Sequence, residues 1–410
     1  MRRKRLLLVT ATTGYQSQMF AEAARGLQFD LVMATDRCHV LEDPWGDHAV
    51  PIRFEDPEGA IAAVTGAGAF DGIVALGDRP AMVAAAIAGG LGLPFHSLDA
   101  AMTCRNKNTA RRRFQEAGLL VPDFYRASLA DGPERALAGA LFPCVLKPLG
   151  LSGSRGVIRA DSGAEFLAAF LRIEALLNAP DIARAREEQD RFIQIERFIP
   201  GRELALEGLV TDGRLQVLAL FDKPDALDGP FFEETIYTTP SVQPSAVQAS
   251  IRDATERAVQ ALGLTHGPIH AEMRVNASGV WMLEVAGRPI GGLCARVLPG
   301  LAEVILRHAI GEAVPSTGLL SGAAGVMMIP IPRPGVYVDT GGVDAARDIP
   351  GIEDVVITAK TGQRLVPLPE GNSYLGFIFA RGADPLVVET SIREAHAKLR
   401  FEIQTALDVV

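Results

Sequence analysis

Cysteine is scarce in this 410-residue chain: there are four, Cys38, Cys104, Cys144 and Cys294, far apart and with no C-x-x-C pair. That spacing argues against a disulfide framework or a thiolate zinc site and suits a reducing cytosol. Long apolar runs are also missing. The two uncharged stretches, Pro80 to Leu98 and Ala313 to Pro332, are interrupted by Gly, Ser, Thr or Pro. Neither offers the ~20 strongly apolar residues of a membrane span. After the basic residues Arg2 to Arg5, the apolar run Leu6 to Val9 ends at once in Thr10 to Gly14. That is too short for a secretory signal, so a cytoplasmic protein without membrane contact is expected. An excess of positive charge is lacking too: 40 Lys and Arg against 49 Asp and Glu leave −9. This argues against nucleic acid as a partner, although one concentrated anion site can still oppose the global sign. No G-x-G-x-x-G follows the first strand signal and no G-K-[ST] opens a helix, so neither a dinucleotide fingerprint nor a P-loop is present.

What is there, 48% hydrophobic and 22% charged residues, suits ordinary globular cores. At ~150 residues per domain the length predicts two or three of them. Strand signals at Leu6–Thr10, Leu31–Ala34 and Gly72–Leu76 alternate with helix-like stretches, Gln16 to Gly26 and one opening near Pro80. The alternation predicts a doubly wound α/β domain over residues 1–102. From Asn106 to Ile310 the texture changes to β-hairpins and glycine-rich loops. Asp212-Gly213 predicts a type I′ turn joining Glu203–Thr211 to Arg214–Asp222. Ala277 to Gly279 fits a three-residue loop that pairs Asn276 with Val280, Arg274 with Met282 and Glu272 with Glu284. Beyond the Gly/Pro-rich stretch Pro315 to Pro334 come short strand candidates, Val355–Ala359, Leu365–Leu368 and Gly376–Ala380. An amphipathic helix from Pro385 follows.

Four segments could carry chemistry. In the second hairpin, alternation puts His270, Glu272 and Arg274 on one face, and Glu284 opposite Glu272 with Cβ atoms roughly 5 Å apart. Carboxylates that close repel or share a proton unless a cation lies between them, and an all-oxygen site favours Mg²⁺. An ion pair of one Glu with Arg274 or Arg288 is the commoner arrangement in an arbitrary hairpin. The strand Val145–Lys147 leads into a loop with Gly150, Gly153 and Gly156, able to turn N–H groups toward phosphate; a solvated surface turn has the same composition. Lys107 and Arg111 share a helix face at i, i+4, which by itself also describes a solvated basic face. Phe192 to Pro200 is a strand ended by Pro200-Gly201.

In this order and spacing the four segments resemble the ATP-grasp superfamily. The resemblance implies an α/β (α+β overall) architecture. A two-subdomain core over residues 103–314 would carry a mobile lid at about 122–198, followed by a small C-terminal α+β domain over 315–410. By this resemblance, nucleotide lysines match Lys107 and Lys147, and the phosphate loop matches Ser152, Gly153, Ser154 and Gly156. The adenine hinge matches Glu196, Arg197 and Phe198, and the ribose acid Glu203. The Mg²⁺ carboxylates match Glu272 and Glu284, with Mn²⁺ as a substitute, and the arginine at the transferred phosphate matches Arg288. One departure is Ala286, where many members carry a further metal-binding Asn.

Within the superfamily the chain is similar to L-amino acid ligases in Glu207 to Gly213, Phe221 to Lys223, Pro230 to Thr235, Arg288 to Gly292 and Gly325 to Gly382. This implies an ATP-dependent carboxylate–amine ligase that forms a dipeptide-like amide through an acyl phosphate, releasing ADP and phosphate. Lys147 and Arg288 would be its catalytic groups, and Lys223 would reach phosphate or substrate. Glu234, Tyr237, Arg288, Gly291 and Gly292 would contact amino-acid substrates. An ATP-grasp carboxylase or small-molecule kinase is the alternative. A non-catalytic ATP-binding module ranks lower, because both metal carboxylates are present. A homodimer is the base-rate expectation.

Overall fold

A computed structural model of the chain describes residues 2–11, 16–36, 49–183, 187–314 and 321–405. The Gly14 turn, Cys38 and the first six residues of the Gly/Pro-rich stretch, 315–320, lie outside the described residues.

The N-terminal unit holds strands β1 (Arg5–Thr10), β2 (Asp30–Thr35), β3 (Val50–Pro51) and β4 (Gly72–Leu76) in a parallel sheet of order β3-β2-β1-β4. Around it lie α1 (Ser17–Gly26), α2 (Pro57–Gly66), α3 (Asp78–Leu91) and α4 (Leu98–Arg105). The continuous apolar run of β1 follows from burial on both faces. Leu6 and Leu8 pack into one core with α1, while Leu7 and Val9 pack into another with α2 and α3. β4 ends at Gly77, whose φ of 109° turns the chain into α3, so that Asp78 opens the helix.

α5 (Lys107–Glu116) is started by Asn106, whose Oδ1 accepts the N–H groups of Asn108 and Thr109. A second unit follows with β5 (Phe124–Ser128), β6 (Cys144–Pro148), β7 (Ile158–Ala160) and β8 (Phe192–Arg197), an antiparallel sheet of order β5-β8-β6-β7. It is covered by α6 (Pro133–Leu137), α7 (Gly163–Leu177) and α8 (Pro180–Ala183); Phe166, Phe170 and Ile173 of α7 fill its core.

An eight-stranded sheet forms the body of the molecule. β9 (Arg202–Thr211) and β10 (Arg214–Asp222) are joined by the expected two-residue turn, with Asp212 at φ 52° and Gly213 at φ 75°. β11 (Ile236–Thr239), α9 (Ser245–Leu262), β12 (His266–Asn276) and β13 (Gly279–Ala286) follow, then α10 (Leu301–Ala309). The sheet continues with β14 (Ala323–Ile329), which pairs with β11. β15 (Gly335–Gly341), α11 (Val343–Arg347), β16 (Ile352–Ile357), β17 (Arg364–Leu365), β18 (Gly376–Gly382), α12 (Pro385–His396) and β19 (Arg400–Gln404) complete the chain. The strand order β13-β12-β9-β10-β11-β14-β18-β16 makes the C-terminal third an extension of the central sheet, with β17-β15-β19 as a separate small sheet. The strand expected at Leu365–Leu368 shortens to Arg364–Leu365, because Pro367 and Pro369 have no N–H to give a ladder. Among the described residues no helix is long and apolar enough to cross a membrane.

The Glu272–Glu284 hairpin has the expected central pair but a different route to it. The turn is two residues, with Asn276 opposite Gly279 and Arg274 opposite Trp281 rather than Met282. A bulge beyond Met273–Met282 then adds Leu283 and restores Glu272 opposite Glu284. Arg111 of α5 donates to the carbonyls of Met282 and Leu283, and so holds the bulge.

Candidate active site

A cavity of about 420 Å³ lies where the N-terminal unit, the small antiparallel sheet and the central sheet meet. Sixteen of the eighteen residues to which the resemblance gives a site role line it. They are Lys107, Lys147, Ser152, Gly153, Ser154, Glu196, Arg197, Phe198, Glu203, Glu234, Tyr237, Glu272, Glu284, Arg288, Gly291 and Gly292.

Lys107, the first residue of α5, gives its N–H to Leu149 (3.0 Å) and its ammonium to the carbonyl of Leu151 (2.6 Å). The same ammonium stands 3.4 Å from Glu284. Lys147 on β6 lies 2.5 Å from Glu196 on β8, and Arg111 holds the other oxygen of that carboxylate at 2.7 Å. Burial alone would raise the Glu196 pKa, but Arg111 and Lys147 outweigh it and bring the carboxyl down to about 2. The backbone N–H groups of Arg197 and Phe198 are bonded to the carbonyls of Asp123 (2.9 Å) and Pro143 (2.8 Å). They are therefore committed to the fold rather than open to a base.

Gly153 (φ 65°) and Ser154 (φ 54°) are successive left-handed residues, which bend the loop over the cavity. Gly156 does not line it. Its N–H donates to Pro369 at 2.8 Å, and a Cβ there would meet Pro148 at 2.6 Å, so this glycine serves packing and docking instead of facing a phosphate. Lys223 is the second residue off the wall. It is buried behind the carboxylates, 2.9 Å from Glu203 and 3.2 Å from Glu272, and also donates to Glu234. Three acids around one ammonium explain why it turns inward: burial lowers the Lys223 pKa, but the three carboxylates raise it well above the ordinary value.

The acids compete for too few cations. Arg274 pairs with Glu203 at 3.0 Å, and His270 bridges Glu207 and Glu272. Burial opposes the imidazolium, yet the Glu207 charge and these bonds raise His270 to about 9. Glu234 shares Lys223 and accepts from the Tyr237 hydroxyl (2.9 Å). Burial, then repulsion from Glu272, push it up to about 7. Glu272 and Glu284, opposed carboxylates with oxygen donors only, are the kind of pair that takes Mg²⁺. Ala286 pairs with His270 and brings no further donor.

Arg288 is forked onto Asp78 (2.9 and 3.4 Å) and bonds the Pro289 carbonyl. Asp78, next to the helix opening expected near Pro80, carried no signal in the sequence. Arg111 was visible as the i+4 neighbour of Lys107, yet it is 2% exposed rather than solvated. Asn372, Ser373 and Tyr374 also line the cavity and had no signal, since they are brought in from the far end of the central sheet.

An ATP-grasp domain description matches residues 140–297, and an L-amino acid ligase C-terminal domain 2 description matches residues 327–404. The fold superposes on the L-amino acid ligase of Bacillus licheniformis with a TM-score of 0.80 at 25% identity, covering 99% of this chain and 100% of that one. Alanine–anticapsin ligase of Bacillus subtilis is 27% identical over 197 residues, 45% of this chain and 41% of that protein. Dapdiamide A synthase of Enterobacter agglomerans is 28% identical over 190 residues, 46% of this chain and 43% of that protein. The match thus spans less than half the length of either curated relative. Residues 140–297 thus resemble an ATP-grasp domain, and the fold resembles an L-amino acid ligase from end to end.

Proposed function

We propose that the chain is an ATP-dependent carboxylate–amine ligase that joins amino-acid substrates by an amide bond. The observation that carries this reading is the meeting in one cavity of Lys107, Lys147 and the Gly153–Ser154 loop with Glu272, Glu284 and Arg288. Among the described residues that line it, the one thiol is not an activated nucleophile: burial raises Cys294 far above its ordinary pKa. Such a constellation suits phosphoryl transfer, which asks a protein for position and charge more than for covalent chemistry.

In this reading a substrate carboxylate oxygen attacks the γ-phosphorus of ATP in line, and the bond to the ADP oxygen breaks. The amine then attacks the acyl carbon, phosphate leaves, and the amine loses its proton. Lys107 and Lys147 hold phosphate oxygens, Ser152 to Ser154 cover them, and Glu203 faces the ribose. Arg288, fixed by Asp78, offsets charge on the acyl phosphate, and its N–H groups beyond those bonds stay available to do so. Glu234 and Tyr237 contact a substrate. Glu272 and Glu284 would hold Mg²⁺, or Mn²⁺ in its place; the metal supplies charge compensation for the phosphates when bound. Closure of the loop Ser152–Ser154 over the cavity would keep water from the acyl phosphate. Three buried free thiols, Cys104, Cys144 and Cys294, support a cytoplasmic setting.

The test is purified protein with Mg-ATP and pooled amino acids, with nucleotides and products separated by mass. ADP that forms only with a pool, together with a product one water short of two components, is the expected result. AMP and pyrophosphate would overturn the acyl-phosphate route. Bicarbonate dependence or a lasting phosphorylated acceptor would point instead to a carboxylase or a kinase.

A further inference from the structure

The cavity has two chemically different halves. One holds the lysines, the glycine loop and the metal-type carboxylates. The other is floored by one face of the central sheet. Met328 on β14 and Phe377 on β18 are direct cross-strand partners. Both belong to the apolar cluster that also includes Leu76 at the end of β4 and Ile290 after Arg288. These four line the cavity, and Tyr374 packs its ring 6.1 Å from that of Phe377. Over this floor the chain passes as Gly291-Gly292. A Cβ at Gly292 would stand 3.3 Å from the Phe377 ring, while one at Gly291 would meet nothing within 4 Å. An apolar surface is therefore left uncovered in the wall of the cavity, and among the described residues nothing stands within 4 Å of where a Gly291 Cβ would be.

The charged groups bordering this half are already engaged. Asp78 and Arg288 neutralise each other, and Glu234 is bonded by Lys223 and Tyr237. The Gln16 amide is bonded to the Ile290 carbonyl. A charged substrate side chain placed over this floor would lose its water against apolar atoms, whereas an apolar one gains by covering the floor.

We propose that this half of the cavity is the side-chain pocket of one substrate, and that it selects an amino acid whose side chain is uncharged, apolar and larger than that of alanine. The assignment rests on the ligase reading for its chemistry and on the Leu76, Ile290, Met328, Phe377 and Tyr374 floor for its selectivity. Each methylene that reaches the floor raises kcat/KM severalfold. Gly291 matters because it leaves the space open.

The experiment uses the full chain with Mg-ATP and single amino acids, Ala, Val, Leu, Met, Phe, Asp and Lys, each offered against a common pool of the others. ADP release and product mass are read. In parallel, binding of the same amino acids is followed by thermal shift in the presence of a non-hydrolysable ATP analogue. Expected are a rise of at least about tenfold in kcat/KM from Ala to the best of Leu, Met and Phe, and lower values for Asp and Lys. Gly291→Leu, whose Cβ would meet nothing within 4 Å, should lower kcat/KM for the large apolar substrates by at least about tenfold while leaving the KM for ATP unchanged. A preference for Asp, Lys or Ala, or a Gly291→Leu profile identical to that of the parent, overturns the pocket and leaves the ligase reading standing. Apolar amino acids that bind without any ADP release uphold the pocket and overturn the ligase reading. Neither binding nor turnover with apolar amino acids overturns the pocket.

Discussion

Arg288 and Asp78 are 210 positions apart and form a forked ion pair of 2.9 and 3.4 Å at the wall of the cavity. One comes from the chain just after β13 and the other from the first residue of α3, so the pair joins the N-terminal unit to the central sheet. Burial works against both charges. Their attraction nevertheless lowers the Asp78 pKa and raises that of Arg288, so both are ionised at neutral pH.

Asp78→Asn leaves the guanidinium without its counter-charge. Both side chains keep some exposure, 12% for Arg288 and 19% for Asp78, so the loss is smaller than the about 3 kcal/mol of a fully buried pair. A fall in thermal stability is expected, together with a drop in kcat of at least about tenfold and little change in the KM for ATP. In an Arg288→Ala background the same substitution should lower kcat no further. Two independent losses in the double variant would contradict action through Arg288.

Glu284→Ala removes one of the two opposed carboxylates and leaves Lys107 without its 3.4 Å partner. Turnover should fall to background and ATP binding should lose its dependence on Mg²⁺, measured by calorimetry with and without chelator. Metal-dependent binding that survives in this variant would remove Glu284 from the metal site.

Gly156→Ala asks a side chain to adopt a φ of 74° and to overlap Pro148. The strain should cost about 1–3 kcal/mol, concentrated in the small antiparallel sheet. Its expected signature is a raised KM for ATP and faster hydrogen exchange in β6 and β7. Unchanged exchange there would show that the loop tolerates the overlap.

His96 and His308 give the protein a predictable acid limit. Burial holds both imidazoles neutral, each pushed down to about 4 from an ordinary 6.5. Below pH 6.5 the unfolded chain takes up protons that the folded one refuses. Stability is therefore full above 6.5 and falls as pH drops toward 4, by about 1.4 kcal/mol per pH unit for each histidine. Denaturant midpoints between pH 7.5 and 5 check this. His96→Gln should flatten the slope even if it lowers the plateau, and an unaltered slope would clear that residue.

Much of the site was legible because its signals are local. A turn dipeptide suffices to set Glu203 to Asp222 as a hairpin, and the Glu272–Glu284 pair lies within fifteen residues of chain. Even there the route was invisible: a two-residue turn and a bulge at Leu283 lead to the same pair as one longer loop, and the bulge depends on Arg111, more than 170 positions away. The lysine and glycine-loop positions could be read for the same reason, as a strand end and a composition. Lys223 could not. Its inward direction depends on three acids from β9, β12 and the chain before β11, whose mutual repulsion exists only after those elements pack.

By itself the sequence determined the alternating start of the chain and its two local hairpins, and it put forward Lys107, Lys147, Glu272 and Glu284 as candidates for phosphate and metal. Only the tertiary structure decided that β14, β18 and β16 extend the central sheet and bring Met328, Tyr374 and Phe377 to the cavity. It also decided that Gly156 docks on Pro369 rather than facing the cavity. The physical reason is range. Turns and periodicity follow from steric and solvation terms within a few residues. Which faces are buried together, and which charges share too few partners, depends on contacts between segments hundreds of residues apart.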